Sequence, residues 1–394
     1  MRVLIAVGRF HEDERGGAYR IAADCAYELR DRGDDVTLLC EGLAGAPEIE
    51  EREGVRLLRY KQASAPTPYE RHAKSASAAL RWHMQEPPDL IWGHSPFQFL
   101  IAADAFPQSQ CSYVVHSPLS LEMLSRHDPP QLADRIKSAL GKRMERRCLE
   151  RAQVVQTLSR FTRDTILRLH GGSFENKVVV TPGWADTRVF RPVQDKLEMK
   201  RELGWRDDVT NFFTVRRLVL RMGIANLVEA ARILADKKLA FHLYIAGTGE
   251  LQSTLQKQIE SQQLTKDITM LGGLSQAQLA KAYAACDAFV IPTHALECFG
   301  LIAVEALASG VPVLSTDVGA LPETIAPLEP QWIMHADAAA IAHQLERFLR
   351  GELPRHTSQE LRAYAHAHFG DGARRSFVDV ATKITGRNLT APAR

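Results

Sequence analysis

Apolar residues in the first half of the chain gather in short runs rich in branched side chains: Val3 to Val7, Val36 to Leu39, Asp89 to Trp92, Tyr113 to Val115, Val154 to Thr157 and Val178 to Val180. Helix-like stretches separate them, among them the amphipathic segment Ile21 to Leu29. Apolar runs of this kind are the mark of strands buried on both faces, and helical connections supply the crossovers of a parallel sheet. The pattern repeats at Asn211 to Val215, Ala240 to Ala246, Ile268 to Leu271, Ala288 to Ile291 and Val313 to Ser315. It predicts an α/β chain with two Rossmann-like, doubly wound parallel-sheet domains.

Phe190-Arg191-Pro192-Val193-Gln194-Asp195 interrupts the periodicity with a proline and a polar shift, and Lys196 to Leu203 starts a new helix. The expected domains are therefore 1–192 and 193–369, and Glu360 to Thr385 carries a further helical pattern. Ligands of open α/β sheets bind outside the carboxyl ends of the strands. The expected active site lies where the strand ends of the two domains face one cleft.

A chain of 394 residues with 45% apolar and 24% charged positions suits a globular protein of two domains. Its 49 basic and 47 acidic residues nearly cancel, which argues against a nucleic-acid partner and requires any anionic ligand to be held locally. Six cysteines without a C-x-x-C pair suggest neither a zinc site nor a disulfide framework, and fit a reducing, cytoplasmic setting. The opening Met-Arg-Val-Leu-Ile-Ala-Val is short for a signal peptide, and no apolar run reaches the ~20 residues of a bilayer span. The acidic pairs Asp34-Asp35 and Asp207-Asp208 read as turns, so no metal is assigned.

The richest segment follows the run Ala288 to Ile291: Pro292-Thr-His-Ala-Leu-Glu297-Cys-Phe-Gly300-Leu301-Ile-Ala-Val-Glu305-Ala306-Leu-Ala-Ser-Gly310-Val-Pro312. A strand, a loop ending in Gly300 and then a helix make an anion-ready helix N-terminus, with the amides of Gly300 and Leu301 toward a phosphate. Glu297 in the loop and Glu305 in the helix have seven residues between them, so both can face one cleft. A carboxylate there can take two hydrogen bonds from a vicinal diol.

This segment resembles the signature of glycosyltransferase family 4, a pair of glutamates with seven residues between them before a small-residue helix. The resemblance implies the GT-B fold and a retaining, metal-independent transfer of a hexose from a nucleoside-diphosphate sugar, with no cofactor. In the family the second glutamate grips the ribose and the first contacts the transferred sugar, which implies those roles for Glu305 and Glu297. Gly300 and Leu301 then fall on the donor phosphate and sugar.

Upstream, Val215-Arg-Arg217-Leu218-Val-Leu-Arg221-Met222-Gly223 resembles the family segment G-R-L-x-x-x-K-G, whose arginine and lysine neutralise the diphosphate. Arg217 takes the arginine position and Met222 the lysine position, leaving Arg221 or Arg216 to supply the second charge. Gly16-Gly17 after the first strand resembles the family's paired-glycine loop at the donor phosphates, and His116 in Tyr113-Val-Val-His116-Ser117-Pro118 its histidine at the transferred sugar. His94 has the same setting without that support. Gly247-Thr248-Gly249 is a further match, and Leu271-Gly272-Gly273-Leu274 corresponds to the stretch that flanks the base. The family's last helix crosses back to the first domain, which implies the same for about 370–394.

A UDP-sugar is the expected donor, with GDP-mannose next, and cell-surface polysaccharide or glycolipid assembly the expected setting. The acceptor would dock on the loops Glu12 to Arg20, Ser64 to His72 and Ser117 to Pro130. Two other readings stay open: a sugar-nucleotide 2-epimerase of the same fold, and a non-catalytic nucleotide-sugar-binding protein, which Met222 and Cys298 would suit. Arg135 to Arg151 carries seven basic and two acidic residues among Ile136, Leu140, Met144 and Leu149. It reads as a helix packed on the sheet, with peripheral contact to an anionic membrane, at the inner face of the plasma membrane, as the alternative.

Overall fold

The computed structural model describes residues 1–14 and 16–386, and its contacts divide the chain into two units. The first holds Met1–Ser120, Lys137–Gly183 and the described residues from Arg374 onward; the second holds Leu121–Ile136 and Trp184–Ala373. Arg15, in the expected acceptor loop, and 387–394, in the expected closing stretch, lie outside the described residues.

In the first unit the strands are β1 (Arg2–Ala6), β2 (Asp35–Glu41), β3 (Ile49–Arg52), β4 (Val55–Tyr60), β5 (Leu90–Gly93), β6 (Gln110–Val115), β7 (Val154–Thr157) and β8 (Val178–Val180). They form one sheet in the order β3-β4-β2-β1-β5-β6-β7-β8, parallel except for the β3–β4 hairpin. β1 is central, with Ile5 beside Leu38 on one side and Trp92 on the other, all fully buried. That is why it reads as an uninterrupted apolar run.

The hairpin was not apparent from periodicity. β3 is Ile-Glu-Glu-Arg, an edge strand whose charged residues alternate between exposed and partly exposed positions. Glu53 and Gly54 turn the chain with φ of 47° and 74°, both positive as a two-residue hairpin of type I′ requires. Charge on an edge strand discourages pairing with other chains and removes the apolar signal.

In the second unit β9 (Thr210–Val215), β10 (Phe241–Ala246), β11 (Ile268–Gly272), β12 (Ala288–Ile291), β13 (Val313–Thr316) and β14 (Ile333–Met334) form a parallel sheet in the order β11-β10-β9-β12-β13-β14. The chain winds outward from β9 through β10 and β11, then returns to the other side of β9 as β12. The gap between β9 and β12 is thus the topological switch point, where the first crossover helices diverge and ligands of such sheets lodge. Phe212, Phe213, Phe289 and Tyr283 fill the core beneath it.

The stretch Glu360 to Thr385 is broken rather than continuous. Helix Ser358–Phe369 stops at Gly370, where an added Cβ would meet the His366 carbonyl oxygen at 2.6 Å, and helix Asp371–Thr382 follows. The latter belongs to the first unit from Arg374: the Phe377 ring stacks on Trp92 at 5.7 Å, and Gln156 donates to the Phe377 carbonyl at 2.9 Å. Arg374 and Arg32 flank it with ion pairs to Glu28 and Asp379 at 3.1 and 2.6 Å.

Candidate functional site

At the switch point of the second unit the loops leaving β9, β10, β12 and β13 are stitched by their backbones. Leu218 donates to Thr248 and Gly247 to Gly272, His294 and Ala295 both donate to the Arg221 carbonyl, and Ala320 donates to that of Glu297. The loops approach so closely that three glycines are obligatory. A Cβ on Gly223 would lie 1.8 Å from the Pro292 carbonyl oxygen, on Gly247 1.8 Å from that of Arg216, and on Gly319 2.1 Å from that of Glu297. All three have positive φ, which side chains resist.

Three arginines stand on the β9 loop. Arg217 is exposed, its nearest carboxylate being Glu122 at 3.6 Å, within the same unit. Arg221 donates to the Leu296 carbonyl at 2.8 Å and lies 3.8 Å from Glu122. Burial pushes its pKa down, and Glu122 offsets part of that. Arg216 is buried and donates through Nη2 to Thr293 Oγ1 at 2.7 Å and to the Glu297 carboxylate. The sequence placed Glu297 and the β9 arginines near one another; it gave no sign of the partner that Arg216 takes.

Glu305 lies inside helix Leu301–Ala308, buried, and accepts a hydrogen bond from the Tyr283 hydroxyl at 3.0 Å. Burial first and Glu305 second hold that phenol far above the usual tyrosine range, so it stays a donor. That bond fixes one oxygen of Glu305. Gly300 caps the helix at φ 85°, with Leu301 first in the helix. Leu271 is partly exposed in β11, whose Gly272 carbonyl receives Gly247. The second unit therefore brings Arg216, Arg217, Arg221, Gly247, Leu271, Glu297, Gly300, Leu301 and Glu305 to the carboxyl end of one sheet.

His116, Gly16 and Gly17 lie in the first unit. His116 follows β6, His94 follows β5, and His94 Nδ1 lies 3.0 Å from His116 Nε2. Burial takes the His116 imidazole down to about 3, although part of the residue reaches solvent; burial, then His116, takes His94 well below its usual value. The pair is therefore neutral at pH 7, one ring donating to the other, and His94 Nε2 is buried without a partner. Gly16 is the extended cap and Gly17 the first residue of helix Gly17–Asp31, so these glycines open the helix instead of forming a loop ahead of it.

Periodicity missed Tyr283, which sits on an ordinary-looking helix, and Thr293 and Glu122, which carry no motif. Among the described residues no cluster of three His, Cys, Asp or Glu side chains is placed to hold a metal ion, and no helix is long and apolar enough to cross a membrane.

Comparison with known proteins gives this geometry its context. The profile described as glycosyl transferases group 1 matches residues 195–368, and that of a glycosyl transferase 4-like domain matches 16–184. The GDP-mannose-dependent monoacylated alpha-(1-6)-phosphatidylinositol monomannoside mannosyltransferase of Corynebacterium glutamicum is 29% identical over 154 residues, 37% of this chain and 40% of that protein. The chain spans 34–40% of the length of the first such relatives in their alignments. Among solved structures, sucrose-phosphate synthase from Thermosynechococcus elongatus superposes with a TM-score of 0.83 at 20% identity, covering 98% of this chain and 99% of that one. Anabaena HepE in complex with UDP and glucose gives 0.76 at 17%, covering 97% and 100%. Two family profiles in chain order, over two parallel sheets that superpose on GT-B proteins along their whole length, establish that the chain belongs to the glycosyl transferases group 1 family and has its GT-B fold.

Proposed function

We propose that the protein transfers a hexose from a nucleoside-diphosphate sugar, a UDP-sugar before GDP-mannose, to an acceptor hydroxyl, with retention at the anomeric carbon and without a metal ion or cofactor. The observation that carries this is the switch point of the second unit, where a buried carboxylate, a glycine-capped helix N-terminus and three arginines share one sheet end. Arginines and helix amides are the groups that stabilise a departing diphosphate. Glu305 would take the ribose hydroxyls, Gly247 and Leu271 would flank the nucleotide, and Glu297 and His116 would serve the transferred sugar. In the step itself the bond from the anomeric carbon to the phosphate oxygen breaks, the acceptor oxygen bonds to that carbon on the same face, and the acceptor proton passes to the phosphate oxygen.

The acceptor is proposed to be a cell-surface polysaccharide or glycolipid precursor, reached from a peripheral position on the inner face of the plasma membrane. Helix Leu132–Arg151 supports the membrane part: Leu132, Ile136 and Leu140, four residues apart, are 74%, 55% and 62% exposed, with Arg135, Lys137, Lys142 and Arg143 around them. An exposed apolar stripe with cations beside it suits an anionic interface. Sedimentation with phosphatidylglycerol vesicles should pellet the protein and lose it on Leu132→Ser/Ile136→Ser/Leu140→Ser; equal pelleting of both would remove this part.

Calorimetry with UDP, GDP and ADP, in EDTA, tests the donor reading, followed by turnover of the matching sugar nucleotide and NMR of the product's anomeric configuration. Binding of one nucleotide and transfer with retention are expected. A requirement for added divalent metal or an inverted product would overturn those parts. Met222, where the family segment has lysine, favours the competing reading of a non-catalytic donor binder; binding without transfer or hydrolysis would establish it.

A further inference from the structure

We infer that His94 is a positioning residue: its ring donates from Nδ1 to His116 Nε2, holds the His116 proton on Nδ1, and so makes His116 a hydrogen-bond donor to the sugar being transferred. The inference rests on the donor reading above.

Two neutral imidazoles whose nitrogens lie 3.0 Å apart share one proton between them, and two arrangements satisfy the contact. In the first, His94 Nδ1–H donates to His116 Nε2, and His94 Nε2 keeps a bare lone pair. In the second, His116 Nε2–H donates to His94 Nδ1, and the proton of His94 has to sit on its Nε2. That nitrogen is buried with no partner among the described residues. A buried N–H without an acceptor is rarer in folded proteins than an unmet lone pair, so the first arrangement is favoured. No carboxylate among the described residues stands close enough to either ring to draw in a second proton. His116 therefore meets its ligand as a neutral donor, without the charge of an imidazolium.

His94 is held firmly enough to impose this. Its residue is 4% exposed, and its amide donates to the Ala6 carbonyl at the end of β1 at 2.8 Å. Its ring lies 5.2 Å from that of Trp92, which is itself stacked on Phe377. His116 is partly exposed, and the bond to His94 is what fixes the plane of its ring. Which nitrogen of a histidine carries the proton is set by the bond that the other nitrogen makes. With Nε2 occupied, Nδ1 is the only ring nitrogen of His116 left for a ligand, and it arrives with a proton. A sugar hydroxyl oxygen accepts such a bond, and a donor already oriented in the free protein loses little freedom on making it.

The test joins long-range proton–nitrogen NMR of the full chain with labelled histidine to turnover of the sugar nucleotide that calorimetry with UDP, GDP and ADP selects. The native chain, His94→Phe and His94→Asn are compared, and the His116 signals are identified by their loss in His116→Asn. Native His116 should be protonated at Nδ1 and bare at Nε2. His94→Phe should let the proton move to Nε2, and His94→Asn, whose amide N–H stands in for Nδ1–H, should hold it on Nδ1. In turnover, His94→Phe should lower kcat about 10-fold while KM for the sugar nucleotide and affinity for its nucleoside diphosphate change by less than about twofold. His94→Asn should recover most of that loss. Native His116 protonated at Nε2, or a tautomer unmoved by His94→Phe, would overturn the inference. So would a moved tautomer with unchanged turnover, and so would equal losses in the two variants, which would mark a packing role. Binding of no nucleotide by the native chain would remove the donor reading, while the NMR measurement would still read the tautomer, so the two failures are distinct.

Discussion

The two sheets hold the loops at their strand ends by different means. In the second unit the loops meet backbone to backbone, and a methyl group on Gly223, Gly247 or Gly319 would lie 1.8–2.1 Å from a carbonyl oxygen. In the first, Gly8 and Gly16 face side chains: the same methyl would be 3.3 Å from the Ser95 hydroxyl and 3.1 Å from the Tyr19 ring. Side chains can turn aside, whereas a carbonyl in a strand-linked loop moves only with its chain. The second unit therefore presents a fixed template, suited to a ligand whose core does not vary, and the first an adjustable one.

The sharpest break in this contrast is expected from single methyl groups. Gly247→Ala should cost at least about 3 kcal/mol in thermal or denaturant unfolding and remove nucleotide binding, since Arg216 must shift. Gly8→Ala should cost less than about 1 kcal/mol. Equal losses would mean that the two sets of loops are equally rigid. Next in size, Glu305→Ala should weaken nucleoside-diphosphate binding by about 1.5–3 kcal/mol, read by calorimetry, because the prepositioned carboxylate is lost. Unchanged affinity would end its ribose role.

The smallest effect belongs to the first unit and to pH. His94 and His116 have folded-state pKa values below the usual 6.5, so the unfolded chain binds more protons as the medium is acidified. The contribution of these two rings to stability should be flat above about pH 7 and fall below pH 6.5, by at most about 1.4 kcal/mol per pH unit for each ring, toward about pH 3 for His116. His94→Phe should make the fall shallower in melts from pH 7.5 to 5. A slope unchanged by it would place the acid sensitivity elsewhere.

The parallel strands of both sheets were legible because burial on both faces leaves mostly apolar residues there. The β3–β4 hairpin was not, since its charges are the protection that an edge needs. At the strand ends, glycines beside apolar runs marked the loops at Gly247 and Gly300, which only that residue fits. What stayed hidden was pairing. Arg216 and Glu297 are 81 residues apart, Tyr283 and Glu305 are 22, and His94 and His116 are 22, and no local pattern encodes which of several arginines or histidines finds which partner. Such choices are made by the packing of the elements that carry them.

Helix Asp371–Thr382 has a consequence for how the protein is made. Chains are synthesised from the N-terminus, and domains generally fold as they emerge. The first unit is not complete at that stage: the ring that stacks on Trp92 and the carbonyl that accepts from Gln156 Nε2 belong to Phe377, which leaves the ribosome after the whole second sheet. The second unit is complete on the ribosome while its predecessor still has an open flank, so the part of the chain that begins first is finished last.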